Sequence, residues 1–164
     1  MADDKVVMTE IERARLDWMA GHLRTYLSSG GKEGHIVDLS DIGGHSFTTT
    51  LLLRTKGAKS GETRTLPLIY GCIGGEVVIV ASKGGADVHP AWYLNIKKNK
   101  EVAFQIGAQA FRASAREPEG AERQAIWSFM EKVYPPYAAY QAVTSRVIPI
   151  LMLKAVEPIG VFKG

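Results

Sequence analysis

The chain has little that could crosslink it or hold it in a membrane. Its 164 residues include one cysteine, Cys72, so an intrachain disulfide and a cysteine-based zinc site are both excluded. A single cysteine fits a reducing cytoplasm, where we expect the protein to reside. The longest apolar runs have about seven residues, whereas a membrane-spanning helix needs about 20. The opening MADDKVVMTE also lacks the apolar core of a signal peptide.

The common signatures of metal, nucleotide and hydrolase chemistry are missing too. The histidines, His22, His35, His45 and His89, share no i,i+2 or i,i+4 spacing and have no carboxylate cluster beside them, so we expect no metal site. No G-x-S-x-G, Walker or G-x-G-x-x-G motif occurs. The net charge of +3 permits an anionic ligand but is too small to indicate a nucleic-acid partner. For Cys72, a small buried hydrophobe is favoured over a reactive thiol.

The composition is that of one compact globular domain. It is 46% hydrophobic and 23% charged, which excludes bulk disorder. Residues 1–46 are predicted to form a tail, an amphipathic helix and a long loop, and residues 47–164 the main body. A capping box of Thr9 and Glu12 predicts the start of the helix, which should end near Ser28. This helix packs on the core, covers a pocket as a lid, or contacts a membrane surface.

From residue 47 onward the hydrophobic pattern changes to a period of two, which is typical of strands. The predicted strands are Thr48–Thr55, Thr63–Ile73, Glu76–Ser82, Val102–Ile106, Gln109–Ala115 and Ile150–Phe162, the last one bent at Pro158. The predicted helices are His89–Asn99, Glu119–Val133 and a short one from Pro136 to about Ser145. Hairpins with helices inserted between them argue against a parallel sheet. They indicate a mainly β fold: a closed or half-open antiparallel barrel with peripheral helices.

Two glycine-rich segments could hold a long ligand with an anionic end and a planar ring. Residues 54–64 gather lysines and arginines around two glycines, which would let the backbone approach a phosphate. In residues 80–95 a strand ends in Ser-Lys-Gly-Gly before a helix opens with His-Pro-Ala-Trp-Tyr, where free amides favour anions and the aromatics offer flat surface. A solvated basic turn and a glycine turn with core aromatics are the structural alternatives.

A third segment carries tyrosines at i, i+3 and i+6, namely Tyr134, Tyr137 and Tyr140. They fall roughly on one helical face. They form either a core stripe or a pocket wall that holds a ring and donates a proton.

Taken in order, the three segments resemble the deazaflavin (F420)-dependent nitroreductases and F420H2-dependent quinone reductases of mycobacteria and other actinobacteria. The matching motifs are Gly57-x-Lys59-Ser60-Gly61 with Arg64 and Pro67-Leu68, then Ala81-Ser82-x-Gly84-Gly85-Ala86, then His89-Pro90-x-Trp92-Tyr93-x-Asn95. The resemblance runs from about Phe47 to Gln141 and includes the last strand. It implies a split β-barrel like that of FMN-binding proteins. It also implies reduced F420 as cofactor, whose deazaflavin ring, phosphate and oligoglutamate tail agree with the ligand outlined above.

The resemblance also implies roles for particular residues. Lys59, Ser60 and Arg64 should hold the phosphate and nearby tail, with Lys56 as an outer contact. The other cofactor-binding residues it implies are Ala58, Thr65, Leu66, Pro67, Leu68, Ile69, Val80, Ala81, Ser82, Lys83, Ala91, Trp92, Tyr93, Leu94, Asn95 and Tyr137. The substrate should meet Tyr134, Tyr137, Tyr140, Trp18 and Tyr26. The proton donor should be Tyr137, Tyr134 or Ser82.

The function implied is hydride transfer from reduced F420 to an activated acceptor: an enone, a quinone or a nitroheteroaromatic. An FMN-dependent enzyme on the same barrel and a non-catalytic F420 carrier are the alternatives. We expect a small-molecule acceptor and no nucleic acid as partners. The sequence permits a homodimer and a peripheral membrane contact through the first helix.

Overall fold

The computed structural model describes residues 10–163, with side chains from residue 14 onward. The capping contact predicted between Thr9 and Glu12 lies outside this part. The helices are α1 (Glu10–Ser28), α2 (Ala91–Lys98), α3 (Gly120–Val133) and α4 (Pro136–Ala142). The strands are β1 (Ile36–Val37), β2 (Thr48–Lys56), β3 (Thr63–Ile69), β4 (Gly71–Ile73), β5 (Glu76–Val80), β6 (Glu101–Ile106), β7 (Gln109–Arg116) and β8 (Ile150–Ile159). Single 3₁₀ turns lie at Ser40–Ile42 and Lys83–Gly85.

The strands form an antiparallel barrel, which confirms the predicted fold class. Neighbouring strands are hydrogen-bonded in the order β1-β2-β6-β7-β8-β5-β4. Strand β3 is not part of this path and pairs with β2. The stretch predicted as one strand, Thr63–Ile73, is divided at Tyr70 into β3, which pairs with β2, and β4, which pairs with β5. Because one segment bridges the two ends of the sheet, the barrel closes and these edges are covered.

The last strand stays paired beyond the bend expected at Pro158. Pro158 lies opposite Phe111, and the irregularity falls at Val156, which the register between β7 and β8 skips. β5 pairs with β8 only from Ile150 to Leu153, so the far end of β8 has one free edge. A proline is tolerated there because no second ladder requires its N–H.

Alternation along the strands builds three hydrophobic clusters. Leu51 and Leu53 point into the barrel, where α2 inserts Trp92, Tyr93 and Ile96. The intervening Leu52 points outward.

Outside the barrel, helices cover two separate parts of its outer surface. α3 and α4 pack on β5 and β8. The C-terminal half of α1 packs on the face that carries Leu52, through Leu23, Tyr26 and Leu27. The predicted packing of α1 on the core is found in this half, whereas Leu16 and Trp18 are exposed.

The prediction that Cys72 is buried is wrong. In β4 the neighbouring Gly71 lies against Phe129 and Met130 of α3, so Cys72 faces away from that helix and is exposed. In the described part of the chain, no helix is long and apolar enough to cross a bilayer.

Candidate active site

A cavity of about 480 Å³ lies between β3, α1 and α4. Its floor is formed by Pro67, Leu68 and Ile69 of β3 and by Val80 at the end of β5. Trp18, Met19 and His22 of α1 form one wall, and three tyrosines of the α3–α4 region form another. The rim is completed by β1 and the turn after it, through Val37, Asp38, Leu39, Asp41 and Ile42. The lining is therefore largely apolar and aromatic, as in pockets that take planar organic ligands.

The period of β3 explains how one strand serves both the core and the cavity. Leu66 and Leu68 pack against the barrel interior, and Leu68 also reaches the cavity lining. The alternate residues Thr65, Pro67 and Ile69 face outward, toward the side that α1 covers. Beside them, Arg54 Nε donates to Thr65 Oγ1 at 3.0 Å, and its guanidinium lies 4.0 Å from the ring centre of Phe162. The outward face thus passes from polar to apolar along β3.

The three tyrosines predicted to share a face are brought together at the cavity. Tyr134 ends α3, and α4 restarts at Pro136. The rings of Tyr134 and Tyr137 meet edge to face with centroids 5.0 Å apart, and the hydroxyls of Tyr134 and Tyr140 are 3.1 Å apart. The break between the helices therefore places a cluster of phenols on one wall.

Tyr137 differs from the other two tyrosines in its hydroxyl. The residue is only 4% exposed. Tyr137 lines the cavity, and among the described residues its hydroxyl has no hydrogen-bond partner. Burial raises the pKa of Tyr137 far above that of a free phenol. The group is therefore a protonated donor throughout the neutral range.

The turn after β5 forms another part of the cavity wall, through Ser82 and Gly84. Lys83, Gly84 and Gly85 adopt positive φ values of 46°, 63° and 86°. A Cβ on Gly85 would stand 2.7 Å from Val143 Cγ2 and 3.0 Å from the Tyr140 carbonyl oxygen. Glycine therefore lets this turn lie directly against α4.

The basic turn between β2 and β3 lies outside the cavity, but it leads directly into β3, which forms the cavity floor. The Gly57 amide donates to the Glu62 carbonyl at 2.7 Å, and Ser60 Oγ accepts from the Glu62 amide at 3.1 Å. Lys56, Lys59 and Arg64 project into solvent. Arg64 pairs with Glu62 at 3.2 Å, an exposed contact that contributes little stability. These cations are available to an anion.

Asn95 holds this basic turn to α2. Its Oδ1 accepts from the Ala58 amide at 2.9 Å, and its Nδ2 donates to Thr55 Oγ1 at 3.0 Å. Lys98 adds a 2.6 Å bond from Nζ to the Ala58 carbonyl. In the structure Asn95 thus shapes the turn and does not line the cavity.

Several residues predicted at the site lie elsewhere. Trp92 and Tyr93 are buried in the barrel core, as is Leu66 in part, and Ala81 is fully buried. Ala91 and Leu94 are exposed on α2.

The prediction of a substrate contact at Tyr26 is wrong. Its side chain is fully buried. Its hydroxyl donates to the Thr50 carbonyl at 2.9 Å and accepts from the Gly107 amide at 2.9 Å. Tyr26 therefore anchors α1 to the barrel and has no face free for a ligand.

Sequence reasoning missed several polar residues at the cavity, among them Arg15, His22, Asp38, Asp41 and Thr50. His22 Nε2 donates to the Gly34 carbonyl at 2.7 Å, which ties α1 to the following loop. No sequence motif marks these residues. Only the tertiary position of α1 and its loop brings them to β3.

Comparison with known proteins gives consistent matches. The family model described as F420H(2)-dependent quinone reductase matches residues 18–155. An F420H(2)-dependent quinone reductase of Mycobacterium tuberculosis is 34% identical over 135 residues, which cover 80% of this chain and 86% of that protein. A solved F420-H2 dependent reductase is 43% identical, covering 64% of this chain and 93% of its own, with a TM-score of 0.60. A solved domain-swapped dimer is 37% identical, covering 85% and 99%, with a TM-score of 0.63.

Proposed function

Because this chain belongs to the F420H(2)-dependent quinone reductase family, we propose that its cavity admits a planar, electron-poor acceptor of the quinone class. The protein is an F420H2-dependent reductase, and reduced coenzyme F420 is its cofactor. This confirms the F420-dependent enzyme over the FMN-dependent and carrier alternatives. When bound, the reduced cofactor supplies a hydride.

The observation that carries the proposal is the layout of β3. At one end of this strand lie the exposed Lys59 and Arg64, and at the other lie Pro67 and Ile69 on the cavity floor. Pro67 lies three positions after Arg64, or about 10 Å of extended chain. A ligand with an anionic tail and a planar ring fits this polarity, with the tail at the basic turn and the ring over β3. The residues present are therefore suited to F420.

The remaining walls suit an apolar aromatic acceptor. Trp18, Met19, Leu39 and Ile42 line the side opposite the floor. Burying a flat ring against such side chains is favourable in proportion to the apolar area removed from water. Quinones combine this flat apolar shape with a strong tendency to accept a hydride. Enones and nitroheteroaromatics share the second property and belong to the proposal as further acceptors.

We assign proton delivery to Tyr137, with Tyr134 and Ser82 as the other candidates at the cavity. A quinone or enone that accepts a hydride becomes an oxyanion, which must be protonated. Among the described residues the Tyr137 hydroxyl at the cavity has no hydrogen-bond partner, whereas the Tyr134 hydroxyl is paired with Tyr140. Burial keeps the pKa of Tyr137 raised and the phenol protonated.

The first test is a fluorescence titration of the protein with F420. The reduced complex is then mixed separately with menadione, cyclohexenone and a nitroimidazole. We expect reoxidation to be fastest with menadione. Binding without reoxidation by any of the three would contradict the proposed acceptor class.

The phosphate assignment is tested with K59A and R64A. Each loses a charge-assisted contact, a type of bond that contributes about 1.5–3 kcal/mol, so we expect the double variant to raise the Kd for F420 at least about tenfold. K154A is the matched control, because Lys154 is an exposed cation on β8 and the basic turn joins β2 and β3. An unchanged Kd in the double variant would remove the assignment.

We also propose that the protein forms a homodimer and contacts lipid through α1. The similarity to a domain-swapped dimer supports a homodimer, which light scattering of the purified chain tests.

Leu16 and Trp18 are exposed on α1 at 43% and 51%. This apolar edge next to the cavity supports a peripheral contact with lipid that carries a quinone. Sedimentation with and without vesicles tests that contact.

A further inference from the structure

Arg146 lies between α4 and β8 and is bound almost entirely to the segment that follows β5. Its Nε donates to the Ala86 carbonyl at 2.7 Å and its Nη2 to the Ser82 carbonyl at 2.8 Å. Its Nη1 donates to the Ala81 carbonyl at 3.2 Å and lies 3.0 Å from His89 Nδ1. One guanidinium thus spans both ends of residues 81–89. A planar group with several fixed donors is suited to hold carbonyls in one arrangement.

The segment that Arg146 holds has an unfavourable backbone conformation, which contacts from the rest of the fold must maintain. Three successive residues in it, Lys83, Gly84 and Gly85, have positive φ. Lys83 has a side chain and is strained in this conformation. Ser82 and Gly84 belong to the cavity wall, so a relaxed turn would alter the site.

Arg146 is itself braced from α4. Gln141 Nε2 donates to the Arg146 carbonyl at 2.8 Å, and Gln141 Oε1 accepts from the Ile148 amide at 2.9 Å. Thr144 Oγ1 donates to Asp87 Oδ1 at 2.9 Å, which adds a second tie to the same segment. The turn after β5 and the helix that carries Tyr137 are therefore joined through residues 141–148.

We propose that Arg146 is a positioning residue for the F420 site: by holding the carbonyls of Ala81, Ser82 and Ala86, it fixes the turn that lines the cavity relative to Tyr137. The inference rests on the proposed function for the place of the ring, but not for the identity of the acceptor. Arg146 itself is not among the residues that line the cavity. Its effect is exerted through Ser82 and Gly84.

The contact with His89 gives an independent readout. To accept from Arg146 Nη1, His89 Nδ1 must be unprotonated. Burial, followed by the charge of Arg146, lowers the pKa of His89; Lys97 lowers it further and Glu117 raises it. The ring of Tyr93 packs beside it with centroids 4.8 Å apart. Removing the Arg146 charge should therefore raise the pKa of His89, whether or not F420 is bound.

The experiment compares R146A, R146K and R123A with the wild-type chain. Arg123 is the matched control: it is half-buried, donates to the Ile148 carbonyl at 2.9 Å and lies over Trp127, away from residues 81–89. Three quantities are measured: the Kd for F420, kcat and KM for F420H2 with menadione, and the pKa of His89 by NMR. Unfolding midpoints report the loss of stability.

For R146A we expect an F420 Kd about tenfold higher and a kcat about 10²-fold lower, because small displacements at a reacting site are costly. The pKa of His89 should rise. R146K keeps the charge without the planar fork and should recover part of the affinity and the low His89 pKa. R123A should lose stability while keeping the wild-type Kd and His89 pKa.

Equal losses in R146A and R123A, in proportion to their unfolding midpoints, would overturn the proposal. An unchanged His89 pKa in R146A would also overturn it, and R146K decides the question if R146A does not fold. A wild-type chain that binds F420 but reduces no menadione would contradict the acceptor class alone, because the Kd comparison still tests Arg146. A wild-type chain that binds no F420 would overturn both.

Discussion

At the scale of single residues, removing the Tyr137 hydroxyl tests the proposed proton delivery most directly. General acid catalysis contributes about 10²–10⁴-fold to a rate, so we expect Y137F to lower kcat with menadione by at least about 10²-fold. The Kd for F420 should stay within about twofold, because the ring of Tyr137 remains. Because burial raises the pKa of Tyr137, the wild-type kcat should show no alkaline loss from this group between pH 6 and 9.

Y140F is the control for that substitution. It removes a hydroxyl from the same wall and leaves Tyr134 without its 3.1 Å partner, but it keeps the Tyr137 hydroxyl. We expect a much smaller effect on kcat. If Y137F retained the wild-type kcat at every pH, Tyr137 would have a packing role and proton delivery would pass to Tyr134 or Ser82.

The family resemblance implies Pro67, Ile69, Val80 and Ser82 as cofactor-binding residues. All of them lie at the cavity, and their contact with the cofactor stays a prediction. The substrate contact expected at Tyr26 is wrong because this side chain is buried against the barrel, which only the tertiary position of α1 shows. Arg146 carries no motif, and only tertiary structure brings its guanidinium to a turn some sixty residues earlier.

At the scale of elements, the end of α1 depends on a close approach of two glycines. A Cβ on Gly31 would stand 1.7 Å from the Gly107 carbonyl oxygen in the β6–β7 turn, whereas a Cβ on Gly30 would meet nothing within 4 Å. Both have positive φ. We therefore expect G30A to cost about 1 kcal/mol through backbone strain alone, and G31A at least about 3 kcal/mol because the backbones must also separate.

Urea unfolding of the two variants measures this difference. Similar free energies of unfolding would mean that α1 tolerates a shift away from the β6–β7 turn. Since Tyr26 also binds that turn through the Gly107 amide, the outcome shows how firmly the helix beside the cavity is held.

Hairpin signals predicted most strands to within one or two residues, because glycine turns mark their ends. The division of Thr63–Ile73 at Tyr70 could not be predicted in this way. Both halves alternate as strands do, but they pair with different neighbours, β2 and β5. Strand pairing depends on how the whole barrel closes. The local hydrophobic pattern therefore does not show where the chain stops pairing with β2 and begins to pair with β5.

At the scale of the whole molecule, the buried tyrosines of the core and the cavity wall also determine how the stability of the protein changes at alkaline pH. Burial raises the pKa of Tyr26 to about 12 and raises the pKa values of Tyr70, Tyr93, Tyr134 and Tyr137. Phenols in the unfolded chain ionise near pH 10. Above that pH the unfolded state releases protons that the folded state retains, so the contribution of these tyrosines to stability should be constant below about pH 9 and fall as the pH rises further.

Tyr26 provides the means to separate this effect from other titrations. Raising its pKa from 10.0 to about 12 corresponds to a loss on the order of 2–3 kcal/mol between those pH values. We expect Y26F to be less stable at pH 8, because the Thr50 carbonyl and the Gly107 amide lose their partner. Its free energy of unfolding should then decline less steeply than that of the wild type from pH 9.5 to 11.5. Parallel declines in urea titrations would show that the Tyr26 phenol is not what opposes ionisation. Unchanged stability of Y26F at pH 8 would assign the anchoring of α1 to Leu23 and Leu27.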